Sequence, residues 1–92
     1  MEIIFTERFL KRVEECTDYI GLDHIPTAIT WAEGIIERCE QLRVQPDSGR
    51  KVPEFNRSEI HELIHGNYRL IYEVKPNRVD MLTIWHNKSN SA

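Results

Sequence analysis

Apolar positions along the chain change period once, from a spacing of three and four in the first half to alternation in the second. Ile3, Ile4 and Phe5 make a short apolar run that predicts a first strand. Thr6 suits the N-cap of a helix that follows, with Glu7 in its first turn. Phe9, Val13, Cys16 and Ile20 line one face of that helix, and Gly21 stands where a C-cap would fall. A second helix is predicted from Asp23 or shortly after, with Pro26 in the first turn, where a missing N–H costs nothing. Ile25, Ile29, Ala32, Ile36 and Cys39 form its apolar stripe, extended by Leu42, and the pattern stops before Pro46. The two helices are expected to form an antiparallel hairpin.

Gln45 to Arg57 holds Pro46, Asp47, Ser48, Gly49 and Pro53 and reads as loop. Three strands are then predicted, Ile60 to Ile64, Tyr68 to Val74 and Val79 to Trp85, with Gly66-Asn67 and Pro76-Asn77 as tight turns. Tyr68, Leu70, Tyr72 and Val74 share one face and should meet the helix pair, while Arg69, Ile71 and Glu73 face away. The expected fold is α+β and two-layered, in the order β-α-α-β-β-β. A helix hairpin packs on a small antiparallel sheet, and residues 1–92 form a single domain.

Composition narrows the class. A hydrophobic share of 40% and a charged share of 29% are ordinary for a globular domain. No apolar run approaches the roughly 18 residues that span a bilayer, and the start, Met-Glu-Ile-Ile-Phe-Thr, lacks the basic and apolar blocks of a signal peptide. A cytoplasmic protein without membrane association is expected. Cys16 and Cys39 both fall on apolar helix faces, which suits buried reduced thiols. Net charge is -3 and uneven: residues 1–42 carry four Lys/Arg against nine Asp/Glu, whereas residues 43–92 carry eight against six. Any surface for phosphates is therefore expected as a local patch in the C-terminal half.

His61-Glu62-Leu63-Ile64-His65 matches the H-E-x-x-H pattern of zinc hydrolases. That chemistry needs a helix, where residues four apart share a face closely enough to share a metal ion. The segment instead leads through Gly66-Asn67 into an evident strand. In a strand the two histidines would stand roughly 13 Å apart at about 3.3 Å per residue. A small zinc hydrolase is a remote alternative.

A longer ordered pattern occupies the second half: Pro46, then Gly49-Arg50-Lys51-Val52-Pro53-Glu54, Glu62-Leu63-Ile64, Asn67-Tyr68-Arg69-Leu70-Ile71-Tyr72-Glu73-Val74, and Val79 to Trp85 followed by His86. With the preceding strand and helix pair, this resembles the RelE/ParE superfamily of type II toxins across nearly the whole chain. The resemblance implies a growth-inhibiting toxin of the plasmid-stabilisation kind, neutralised by a cognate antitoxin and requiring no cofactor. It allows two targets. ParE-like members act on DNA gyrase with no established hydrolytic site, and RelE-like members cleave messenger RNA on the ribosome.

For cleavage, a base must take the 2′-hydroxyl proton, an acid must protonate the leaving oxygen, and cations must stabilise the phosphorane. By resemblance Arg69 would supply that charge, and Glu54 and His86 would serve as base or acid. Arg50, Lys51 and Lys88 would contact phosphates or the target. Plainer roles are open for the same residues: Arg69 pairing with Glu62 or Glu73 across the sheet, Glu54 capping its loop, His86 as an exposed strand-end residue, and Arg50 and Lys51 as solvated loop charges. The chain departs from the RelE pattern. Lys88-Ser89 follows where a second arginine is frequent, Ile60 and Glu62 stand where lysines are frequent, and no tyrosine follows. The ParE-like role is therefore preferred. The antitoxin is expected to lie over the helix pair and the exposed sheet edge.

Overall fold

The computed structural model describes residues 1–87 of the chain. Strand β1 (Glu2–Phe5) leads into helix α1 (Glu7–Gly21) and helix α2 (Ile25–Glu40), which closes with a 3-10 turn at Gln41–Arg43. Strands β2 (Arg50–Lys51), β3 (Ile60–His65), β4 (Tyr68–Val74) and β5 (Arg78–His86) follow. The strands form one sheet in the order β1-β5-β4-β3-β2. The three long strands pair antiparallel, as the alternating pattern predicts. The sheet is wider and more mixed than expected: β1 adds to β5 in parallel, and the two-residue β2 lies inside the segment read as loop.

Local chemistry sets the helix ends. The Thr6 hydroxyl accepts the Phe9 N–H at 3.1 Å and donates to the Met81 carbonyl at 2.7 Å, so one side chain starts α1 and ties it to β5. His24 caps α2, its Nδ1 accepting the Thr27 N–H, so the helix begins shortly after Asp23 as the sequence predicts. Gly21 ends α1 in helical geometry and Leu22 is also αR, so the left-handed C-cap expected at Gly21 does not form. The β3–β4 turn does require its glycine: Gly66 has φ of 60° at the first turn position, as a two-residue type II′ hairpin needs.

The core lies between the helix pair and one face of the sheet. Phe9 and Cys16 from α1, Ile35 and Cys39 from α2, and Leu42 meet Leu63, Leu70, Tyr72, Val79, Met81 and Ile84. Burying each large apolar side chain contributes roughly 1.5–3 kcal/mol. Both cysteines are free and buried, and desolvation pushes the Cys39 thiol up to about 12. The α2 stripe is rotated from expectation. Cys39 and Leu42 face inward as the stripe predicts, but they are joined there by Ala28 and Ile35, whereas Ile25, Ile29 and Ile36 are 66%, 53% and 45% exposed. Helix α2 is apolar over a wider arc than the sheet can cover, and the arc's outer half remains in solvent.

Candidate functional site

The sheet's other face is covered by chain, not helix. Tyr72 anchors that chain: its hydroxyl donates to the Pro46 carbonyl at 3.0 Å and accepts the Gly49 N–H at 2.9 Å. Burial pushes this phenol up to about 12. A side chain at Gly49 would collide with the Tyr72 hydroxyl and reach within 2.5 Å of the Glu62 carbonyl oxygen, so only glycine lets the loop approach. Strand β2 then pairs Arg50 opposite Glu62 and Lys51 opposite His61. Val52 packs on Ile60 and Ile71, with Leu82 and Trp85 against them.

This path brings Glu54 onto Arg69. The Arg69 guanidinium donates to both Glu54 oxygens, at 3.0 and 2.7 Å, and its Nε donates to Glu62 at 2.6 Å. The second Glu62 oxygen accepts from Arg50 Nε at 2.5 Å. The Glu62 side chain is fully buried, and its two arginines are what make that burial tolerable. Above the guanidinium lies the Trp85 ring, 5.0 Å from centroid to Cζ, and Phe55 stacks on the same ring at 5.8 Å. Hydrogen bonds from Arg69 hold the Glu54 carboxyl at about 2, and the two carboxylates raise the Arg69 pKa further. Of the two partners expected for Arg69, Glu62 on β3 is used, and Glu73, on Arg69's own strand, pairs with Arg57 instead. Arg69 is therefore a cation whose fork already holds a carboxylate, and a phosphate could enter only if Glu54 left.

His86 lies on the opposite face. Arg69 stands opposite Trp85 in the β4–β5 ladder, whereas His86 stands opposite Tyr68, and neighbouring strand residues point to opposite sides. The imidazole packs on Tyr68, ring centroids 4.7 Å apart, in a cavity of about 250 Å³ shared with Arg12, Cys16 and Tyr19. The structure thus brings Arg69, Glu54 and Arg50 together and keeps His86 apart from them. Lys51 is exposed on β2, and Lys88 lies outside the described residues.

His61, Glu62 and His65 sit on β3, a strand, as their context predicts. His61 stacks on Tyr72 at 5.6 Å, while His65 packs on Trp31 in space that a side chain at Gly34 would fill, within 2.8 Å of the imidazole. Glu62 points to the far face, committed to two arginines. Among the described residues no group of three side chains is placed to hold a metal ion. Sequence reasoning missed Trp85, Phe55 and Tyr72 as parts of the site. It also missed a basic groove from the acidic half, formed where Arg8, Lys11 and Arg12 meet the end of β5. The spacing of those three on one helix face was its available signal.

A helix hairpin on a mixed sheet is a fold shared with proteins of solved toxin–antitoxin complexes. The chromosomal ParDE system from P. aeruginosa superposes with a TM-score of 0.77 at 18% identity, covering 94% of this chain and 95% of that one. The RelBE2 complex from Mycobacterium tuberculosis matches with a TM-score of 0.58 at 17% identity, over 92% and 88% of the two chains. The RelB-RelE complex from Methanococcus jannaschii matches with a TM-score of 0.56 at 22% identity, over 96% and 94%. Among curated protein sequences none matches. The model of the ParE toxin of the type II toxin-antitoxin system parDE matches residues 3–90. The chain belongs to that family, within the RelE/ParE superfamily, and is a type II toxin of the ParE kind.

Proposed function

We propose that the toxin acts in the cytoplasm as a protein ligand of DNA gyrase, not as a nuclease, until a cognate antitoxin covers it. The observation that carries this reading is the state of Arg69. Its guanidinium is filled by Glu54 and Glu62, and His86 faces the other side of the sheet. A phosphoryl-transfer site needs a cation, base and acid around one phosphate, and these residues are not gathered in that way. No helix among the described residues is long and apolar enough to cross a membrane.

The antitoxin segment is placed over the exposed half of the α2 apolar arc, Ile25, Ile29 and Ile36, with Leu22 at its end. Apolar surface of this kind marks interaction sites. Hydrogen exchange on the toxin with and without antitoxin should slow in α2 and at the adjoining sheet edge. Slowing confined to β2 and the Glu54 loop would contradict that placement. For the target, purified toxin added to a gyrase supercoiling reaction should inhibit it while leaving messenger RNA intact in a ribosome-driven translation mix. Messenger cleavage with supercoiling untouched would reverse the assignment.

A further inference from the structure

Residues 1–42 hold only four Lys/Arg, and three of them, Arg8, Lys11 and Arg12, line one groove. The groove, about 540 Å³, runs between α1 and the last residues of β5, beyond the point where β1 stops pairing. Arg12 is already committed: its Nε donates to the Ile84 carbonyl at 2.8 Å, and its guanidinium pairs with Glu15 at 2.9 Å. The Thr6 hydroxyl covers the Met81 carbonyl at 2.7 Å and lies 3.2 Å from that of Leu82. Arg8 and Lys11 are exposed and, among the described residues, have no hydrogen-bond or ion-pair partner. Ile84, Trp85 and His86, the last residues of β5, form the far wall. Glu15, the one carboxylate lining the groove among the described residues, is held by Arg12.

We infer that this groove takes the phosphodiester backbone of DNA, with Arg8 and Lys11 as the phosphate contacts. An extended acidic peptide would read the open strand edge through its carbonyl and amide groups. Thr6 and Arg12 already occupy three of those carbonyls, so the edge offers a peptide little while the free cations remain. The choice of DNA over other nucleic acid rests on the gyrase reading, since gyrase is met on its DNA. The patch is local in a chain of net charge -3, so binding is weak and strongly salt-dependent.

The test is fluorescence anisotropy of a short labelled DNA duplex titrated with the full chain at several salt concentrations. Wild-type protein is compared with the double variant Arg8→Ala/Lys11→Ala and with Arg43→Ala, an exposed arginine on the 3-10 turn away from the groove. Both groove positions are exposed on α1, and circular dichroism checks that the helix persists. The expected result is binding whose salt slope flattens by about 1 for each groove cation removed, with Arg43→Ala unchanged. Absence of binding at low salt, or a double variant that binds as wild type does, overturns the inference. So does a poly-glutamate peptide that binds as well as DNA and with the same dependence on Arg8 and Lys11. Supercoiling assays on the same preparations separate the two readings. Toxin that inhibits gyrase yet binds no DNA overturns the groove alone. Toxin that binds DNA through Arg8 and Lys11 yet leaves supercoiling intact overturns the gyrase target alone.

Discussion

The two faces of the sheet are covered by different physics. On the helix side, Leu63, Leu70, Tyr72, Val79, Met81 and Ile84 meet Phe9, Ile35 and Leu42, and the cover is held by apolar contact. On the loop side, among the described residues, only Val52, Ile60 and Ile71 form a buried cluster, and the cover is held along its length by the Arg50–Glu62–Arg69–Glu54 chain after the hydroxyl of Tyr72, whose ring lies on the helix side, has fixed its start. Apolar burial is additive and largely indifferent to direction, whereas an ion-paired network depends on every member. The helix face should therefore carry stability, and the loop face should fix the placement of one segment.

The largest effect is expected on the helix face. Leu70→Ala leaves a cavity at a position of zero exposure and should cost about 2–5 kcal/mol, measured by urea unfolding. A loss no greater than that of an exposed substitution would place the core elsewhere. Next comes Glu62→Gln, which removes the charge shared by Arg50 and Arg69. It should cost about 1–3 kcal/mol and raise amide exchange through residues 50–55. Unchanged exchange there would mean that the network does not hold the loop.

Tyr72→Phe keeps the ring in the core and deletes only the hydroxyl that joins Pro46 to Gly49. About 0.5–1.5 kcal/mol should be lost, with faster exchange at Gly49 and little change in α1 or α2. Equal acceleration in the helices would show that the two faces are not separable.

The smallest effect is the pH dependence of Glu54. Hydrogen bonds from Arg69 hold this carboxyl at about 2 in the folded chain, against an ordinary value of 4.5. A depressed folded value contributes stability that is complete above 4.5 and disappears as pH falls to about 2. Unfolding midpoints of wild type and Glu54→Gln should therefore differ at neutral pH and converge across that window. A gap that stays constant with pH would remove Glu54 from the network. Because Glu54 is solvent-exposed, the gap should be small.

Much of this was legible in the sequence, and the exceptions have physical reasons. Helix α1, the three long strands and the Gly66 turn follow from period and turn chemistry, both local properties. The rotation of α2 escaped because isoleucines at 25, 29 and 36 and at 35 give an arc with no preferred edge. The place of His86 escaped for a sharper reason. Alternation counted from Val79 puts His86 on the face of Arg69, but the ladder jumps from Tyr72–Met81 to Ile71–Thr83 and leaves Leu82 as an extra residue. That bulge reverses every later side chain, so Ile84 and His86 face the helices and Trp85 faces Arg69. The Arg69–Glu54 pair joins residues 15 apart across an irregular loop, beyond the reach of any periodic argument. Motif order drew attention to both residues, but not to their mutual neutralisation.

The central claim is that the Arg69 guanidinium is already filled by Glu54 and Glu62 and that, as proposed, toxicity comes from engaging gyrase. Induced expression in bacteria, following plasmid supercoiling and messenger integrity for wild type and Arg69→Ala, tests it most directly. The account predicts altered supercoiling with messenger RNA initially intact in the wild type, and it assigns Arg69→Ala no messenger-cleavage activity to lose. Rapid messenger cleavage by the wild type, abolished in Arg69→Ala while supercoiling stays normal, would contradict it.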